Sequence, residues 1–141
     1  MAAEIHWGYR YGPSRVQTMK VAGDGTVIKI GDLVKVTGGY IAPATDSDTP
    51  IGVALAAASN AASSPDGVQS IPVETSCAAI YEYPLASGTV SQTLVGLRRN
   101  IVDAQSINPD STMSAVACIW MINVARNTVE CSFNFENAFT V

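Results

Sequence analysis

Between Ile28 and Glu74 the chain alternates turn signals with short β-branched runs, and this rhythm limits the fold more than any other feature. Gly31-Asp32 precedes Leu33-Val34-Lys35-Val36-Thr37, Gly52 precedes Val53-Ala54-Leu55, and Asp66-Gly67 precedes Val68 to Val73. Glycine accepts positive φ, and aspartate bonds its own backbone, so each pair turns the chain. Val and Ile fit a pleated, half-buried surface. Strands this short, with turns between them, describe the wall of a small β structure.

The rest of the chain follows the same rule. Val16 to Val27 reads as a strand leading into a turn at Gly23-Asp24-Gly25, and Thr26 to Ile30 begins the next strand. Tyr40 to Ala44 is extended and Thr45 to Pro50 is a polar loop. Ala56 to Ser64 reads as a strand running into a flexible loop, with a single helical turn as the alternative. Pro72 cannot donate to a ladder, so its strand is expected to lie at an edge or to leave the sheet there. Cys77 to Leu85 is a strand, Leu94 to Leu97 continues the apolar pattern, and Ile101 to Ser106 is extended or loop. Met113 to Arg126 is the longest apolar run and is expected to be one long or bent buried strand. In Val129 to Phe135 the alternation is clean: Val129, Cys131, Phe133 and Phe135 face inward, and Glu130, Ser132 and Asn134 face out. Eight to ten strands with regular turn signals predict an all-β sandwich or barrel. The expected organisation is one β domain over residues 16–141, preceded by an extended arm over residues 1–15.

That arm carries Trp7, Tyr9 and Tyr11 alternating with Gly8, Arg10 and Gly12, and Pro13 then interrupts regular structure. Such a stretch can add to a neighbour's sheet edge, with main-chain bonds for affinity and rings for specificity. It can equally pack on its own domain as an extra strand. Trp7, Tyr9, Arg10, Tyr11 and Arg15 are therefore candidate interface residues. Asp46 and Asp48 in the polar loop and Phe139 in the C-terminal tail complete the set.

Composition narrows the function. A chain of 141 residues can bury a core without disulfides or metal. Charged residues make up only 14%, below the roughly 25% of ordinary soluble domains, which suits a surface packed against neighbours. The net charge is −4, and only Arg98 and Arg99 are adjacent, so direct nucleic-acid binding is not expected. No apolar run is long enough for a membrane span. The N-terminus lacks the apolar core of a signal peptide, so synthesis in a cytoplasm is expected. Cys77, Cys118 and Cys131 have no metal-site spacing and read as buried apolar residues or free thiols. Asp46 and Asp48 lack the Gly and Glu of a calcium loop, leaving a solvated turn. His6 is the sole histidine, and no G-x-S-x-G, G-x-G-x-x-G or Walker pattern is present. Neither a cofactor nor an enzymatic activity is expected.

Two family resemblances follow from particular motifs. Met19-Lys20-Val21, Gly25-Thr26-Val27 and Gly31-Asp32-Leu33-Val34 resemble biotinyl and lipoyl carrier domains, whose modified lysine would correspond to Lys20. The spacing is shorter than that family's, and Lys20 falls in an expected strand and not at a turn. The second resemblance covers Val16 to Glu74 and, more loosely, Val129 to Val141. An isoleucine-rich strand runs into Gly31-Asp32-Leu33-Val34, followed by Pro43-Ala44-Thr45-Asp46, Gly52-Val53-Ala54-Leu55 and the Asp66-Gly67 hairpin. In this the chain is similar to tailed-phage head decoration, or capsid cement, proteins. Met113 to Arg126 is no part of the likeness. The resemblance implies a small β-barrel or β-tulip with an extended arm. It also implies a homotrimer that binds the major capsid protein on the outer surface of the virion. The loops Thr45 to Pro50 and Ala56 to Pro65 become candidate contact surfaces, and deletion of residues 1–12 is expected to leave a folded protein that no longer decorates capsids. The rival from another class is a small trimeric β enzyme or ligand-binding barrel.

Overall fold

A computed structural model describes residues 7–112 and 115–139. The strands, in chain order, are β1 (Gly8–Tyr11), β2 (Val16–Lys20), β3 (Val27–Ile28), β4 (Leu33–Thr37), β5 (Tyr40–Pro43), β6 (Gly52–Ala54) and β7 (Ala58–Ser59). They continue with β8 (Ser70–Glu74), β9 (Ile80–Pro84), β10 (Arg98–Arg99), β11 (Ile101–Asp103), β12 (Ser106–Ile107), β13 (Ala117–Asn123) and β14 (Thr128–Phe133). Single-turn 3-10 helices span Gln92–Leu94 and Phe135–Ala138. The all-β expectation holds.

Two five-stranded sheets carry the architecture. One has the order β1-β9-β14-β13-β10 and the other β2-β8-β6-β4-β5, with β3-β7 and β11-β12 as two-stranded ribbons. The second sheet curls until Ile41 of β5 meets Val21 through one parallel bridge. Beyond that bridge β2 and β5 do not pair, so the described residues form no closed barrel.

The turn-and-strand stretch lies between two cores, which explains its apolar density. In β4, Leu33 joins the core against the first sheet, while Val34 joins the core inside the curl of the second. β6 is buried throughout. A side chain at Gly52 would meet Val73 Cγ1 at 2.5 Å and the Glu74 carbonyl oxygen at 2.7 Å. Only glycine lets β6 lie this close to β8.

Three local expectations are corrected. Pro72 lies in an interior strand between β2 and β6, not at a sheet edge. The Leu55 N–H donates to the Pro72 carbonyl at 3.0 Å, but proline can return no bond, and β6 ends at Ala54. The expected long buried strand is shorter and buried on one face only. Of Met113 to Arg126, residues 113–114 lie outside the described set, and β13 begins at Ala117. A bulge between Ile119 and Met121 bends it, leaving Trp120 and Met121 exposed. Cys77 to Ala79 precede β9 and are not part of it. Ala58–Ser59 does run into a loop, as expected. In β14, Val129, Cys131 and Phe133 point inward, and Phe135 is also buried, but from the 3-10 turn that follows.

Candidate interaction surface

The N-terminal stretch illustrates how local sequence meets the fold. Gly8–Tyr11 forms an edge strand antiparallel to β9, so this part of the expected arm packs on the chain's own sheet. Two buried glutamates fix it. Glu82, whose side chain is 5% exposed, accepts a bond from Arg10 Nε at 2.8 Å and pairs with Arg126 Nε at 3.2 Å. The Thr128 hydroxyl donates to the same carboxylate at 2.5 Å, and the Arg126 guanidinium lies 5.3 Å from the Trp7 ring centroid. Burial alone would raise the Glu82 pKa, but Thr128, Arg10 and Arg126 together outweigh it and hold the group below its ordinary value. The second glutamate, Glu74, accepts from the Ser14 hydroxyl and from the Arg15 N–H at 2.6 Å.

Trp7 also passes over Gly31. That glycine has φ of 89°, and a Cβ there would collide with the Trp7 main chain. The Tyr83 hydroxyl donates to the Gly31 carbonyl at 2.7 Å, tying the N-terminus, the Gly31-Asp32 turn and β9 at one point. Asp32 within that turn accepts from the Lys29 N–H at 2.9 Å and Gln105 Nε2 at 2.6 Å. Burial raises its pKa more than these bonds lower it.

The expected interface residues fall into three places. Trp7, Tyr9, Arg10 and Tyr11 belong to the sheet edge just described. Tyr9 packs edge-on against Tyr81, and its hydroxyl donates to the Gly12 carbonyl at 2.7 Å. Tyr11 is 51% exposed beside Glu130. Deleting residues 1–12 would therefore remove β1 and uncover Glu82, so that deletion no longer isolates a free arm. Arg15 and Phe139 are brought together: both line an open groove of about 890 Å³ between β2 and the C-terminal turn. Met19, Ile51, Phe135 and Glu136 share its walls, and Phe139 is 69% exposed.

Asp46 and Asp48 lie apart from both. Asp48 closes its loop, accepting from the Thr45 N–H at 2.8 Å and hydroxyl at 2.7 Å, with Lys35 Nζ at 3.4 Å. Partial burial pushes its pKa up, but these three partners outweigh that and lower it. Asp46 accepts only from the adjacent Ser47 hydroxyl among the described bonds. Among the described residues no group of three metal-ligating side chains gathers. Lys20 stands at the end of β2, opposite Ser70, and not at a hairpin tip.

One surface was not read from the sequence. Trp120, Met121 and Val124 are 60%, 53% and 71% exposed, and Trp120 Nε1 donates to the Ser132 hydroxyl at 2.8 Å. The unbroken apolar run Cys118 to Ile122 does not alternate, and without alternation no outward face can be assigned. Cys118 is half-buried, Cys77 exposed and Cys131 buried, and all three are free thiols. Burial pushes the Cys131 thiol far up. No helix among the described residues is long and apolar enough to cross a membrane. No family model, curated protein or solved structure matches the chain.

Proposed function

We propose that this protein decorates the assembled head of a tailed phage, binding the outer surface of the shell as a homotrimer. The observation that carries this reading is the set of large apolar side chains left outside a charge-poor chain. Trp120, Met121, Val124 and Phe139 are all more than half exposed, while charged residues make up 14% of the sequence. Exposed apolar side chains this numerous on so charge-poor a chain support a surface that meets a partner. The likeness of Val16 to Glu74 to decoration proteins supplies the partner, the major capsid protein. The buried carboxylates Asp32, Glu74 and Glu82 are engaged in holding turns and strands.

The mechanism is mechanical. Three copies about one axis present three identical patches, so individually weak contacts act together. Contacts spread over several coat subunits favour the assembled shell over free coat, and by linkage the bound protein stabilises that shell. Synthesis in the host cytoplasm precedes attachment to the virion. The test is co-sedimentation of the purified protein with expanded heads and, separately, with unassembled coat, alongside its mass by light scattering. Pelleting with heads only, by a trimer, supports the reading; equal binding to free coat, or a monomer that ignores heads, contradicts it.

The groove favours a second reading. Its apolar walls of Met19, Ile51, Phe135 and Phe139 suit a small apolar ligand, the ligand-binding alternative of the sequence reading. Thermal-shift screening against apolar small molecules separates the two, since a head-binding trimer needs no such ligand.

A further inference from the structure

The free edges of the two sheets are not equally guarded. β1 carries a register shift between Tyr9 and Tyr11, and Gly12 follows at φ 105°. β10 has only two residues, and Arg99 Nε is held by the Pro109 carbonyl at 2.8 Å. β5 ends in proline and is met by Val21 and Ala22 at Ile41. Short length, bulges, proline and covering segments are the usual means of blunting an edge. Among the described residues β2 has none of these: it is regular over five residues, pairs with β8 alone, and carries one charged guard, Lys20, at its end.

Its free donors can be assigned. The Thr75 N–H bonds the Arg15 carbonyl and the Val21 N–H bonds the Gln69 carbonyl, so odd-numbered main-chain groups face β8. Those of Val16, Thr18 and Lys20 point the other way, towards the side on which Ala22 bonds Ile41. The seam between β2 and β5 is joined by the parallel Val21–Ile41 bridge, which takes up the Ala22 N–H and the Lys20 carbonyl, and among the described residues it is open along Val16–Met19. Beside this open edge lies the groove walled by Met19, Ile51, Phe135 and Phe139. Arg15 and Lys20, both exposed, bracket the strand with positive charge on a chain of net charge −4. Glu136, the groove's acid, stands across it on the C-terminal turn.

We propose that β2 is a strand-addition site that accepts an extended partner segment, apolar at alternate positions and acidic at its ends. Main-chain bonds to Val16 and Thr18, and to the Lys20 N–H, supply affinity, the groove takes alternate side chains, and Arg15 and Lys20 select acidic ends. This assignment stands apart from the decoration reading, because it names an edge and a chemistry without requiring a capsid.

The test uses amide NMR of the full chain with two blocked synthetic peptides of alternating valine and threonine, one ended by glutamates and one by lysines. The glutamate-ended peptide is expected to shift the amides of Val16, Thr18 and Lys20 and to bind more tightly than the other. Thr18→Pro removes an outward N–H without touching the β8 ladder and should weaken binding about fivefold to tenfold, the worth of one hydrogen bond. The doubly reversed Arg15→Glu, Lys20→Glu protein, altered only at exposed side chains, should prefer the lysine-ended peptide. Equal binding of both peptides, or shifts away from β2, overturns the proposal. So does a dimer of the chain itself that Thr18→Pro abolishes while neither peptide binds.

Discussion

The core between the sheets is built around four buried rings among aliphatic side chains, whereas the core inside the curled sheet is aliphatic throughout. Tyr81, Tyr83, Phe133 and Phe135 occupy the first, with Phe133 and Phe135 stacked at 5.4 Å and the tyrosines edge-on to Phe133 at 5.8 and 6.0 Å. Val21, Val34, Ile41, Ile51, Ile71 and Val73 fill the second. The tyrosines bring hydroxyls into the interior, and each needs an acceptor: the Ser76 carbonyl for Tyr81 and the Gly31 carbonyl for Tyr83. The aliphatic core has no such requirement. The ring-filled half is therefore committed to specific loop positions, while the aliphatic half is fixed mainly by the spacing of its turns. A buried glutamate from each half, Glu82 and Glu74, then grips the N-terminal segment.

The largest effect expected is at the ring core. Phe133→Ala should cost about 4 kcal/mol, whereas Ile71→Val in the aliphatic core should cost about 1 kcal/mol. Denaturant midpoints at constant slope measure both, and a Phe133→Ala loss near about 1 kcal/mol would mean that the ring cluster is not close-packed. Next is Gly31→Ala, expected to cost about 3 kcal/mol because it combines a positive φ with a collision against Trp7. The two halves should still unfold together, with tryptophan fluorescence and far-ultraviolet dichroism giving one midpoint. Separate midpoints would mean that the shared strands β4 and β6 do not couple them.

How much of this was legible divides along the same line. The aliphatic half declared itself through Gly31-Asp32 and Asp66-Gly67, whose turn chemistry is local; Gly52, expected at a turn, lies inside β6, where its close approach to β8 requires it. The ring half was legible in β14, where Val129 to Phe133 alternates, and in β9, expected three residues too early at Cys77. Trp120 was misplaced because a bulge depends on the partner strand, and no residue in Cys118 to Ile122 signals which position is doubled. The grip on the N-terminus was hidden for a related reason. Arg10 and Glu82 are 72 residues apart, and only the β1–β9 pairing brings them together. Nothing in the sequence links Arg15 to Phe139, because their shared groove forms only when the C-terminal turn folds against β2.

A smaller effect appears with pH. Because Glu82 has a lowered folded-state pKa, its contribution is complete above the ordinary glutamate range and is lost as the pH falls through the folded value. Asp32 has the opposite sign: its raised folded-state pKa gives a contribution that is complete below the ordinary aspartate range and is lost as the pH rises through the folded value. Glu82→Gln should therefore flatten the acid side of a melting-temperature profile, while Asp32→Asn should not. The smallest contrast is in the polar loop, where Asp48→Ala should cost about 1 kcal/mol and Asp46→Ala less than about 0.5 kcal/mol.

The decoration reading is tested most directly by calorimetry of expanded heads with and without saturating bound protein. Linkage predicts that the shell transition moves to higher temperature with the protein bound, by an amount that grows with its free concentration. A shell that melts at the same temperature with the protein attached would contradict a stabilising role.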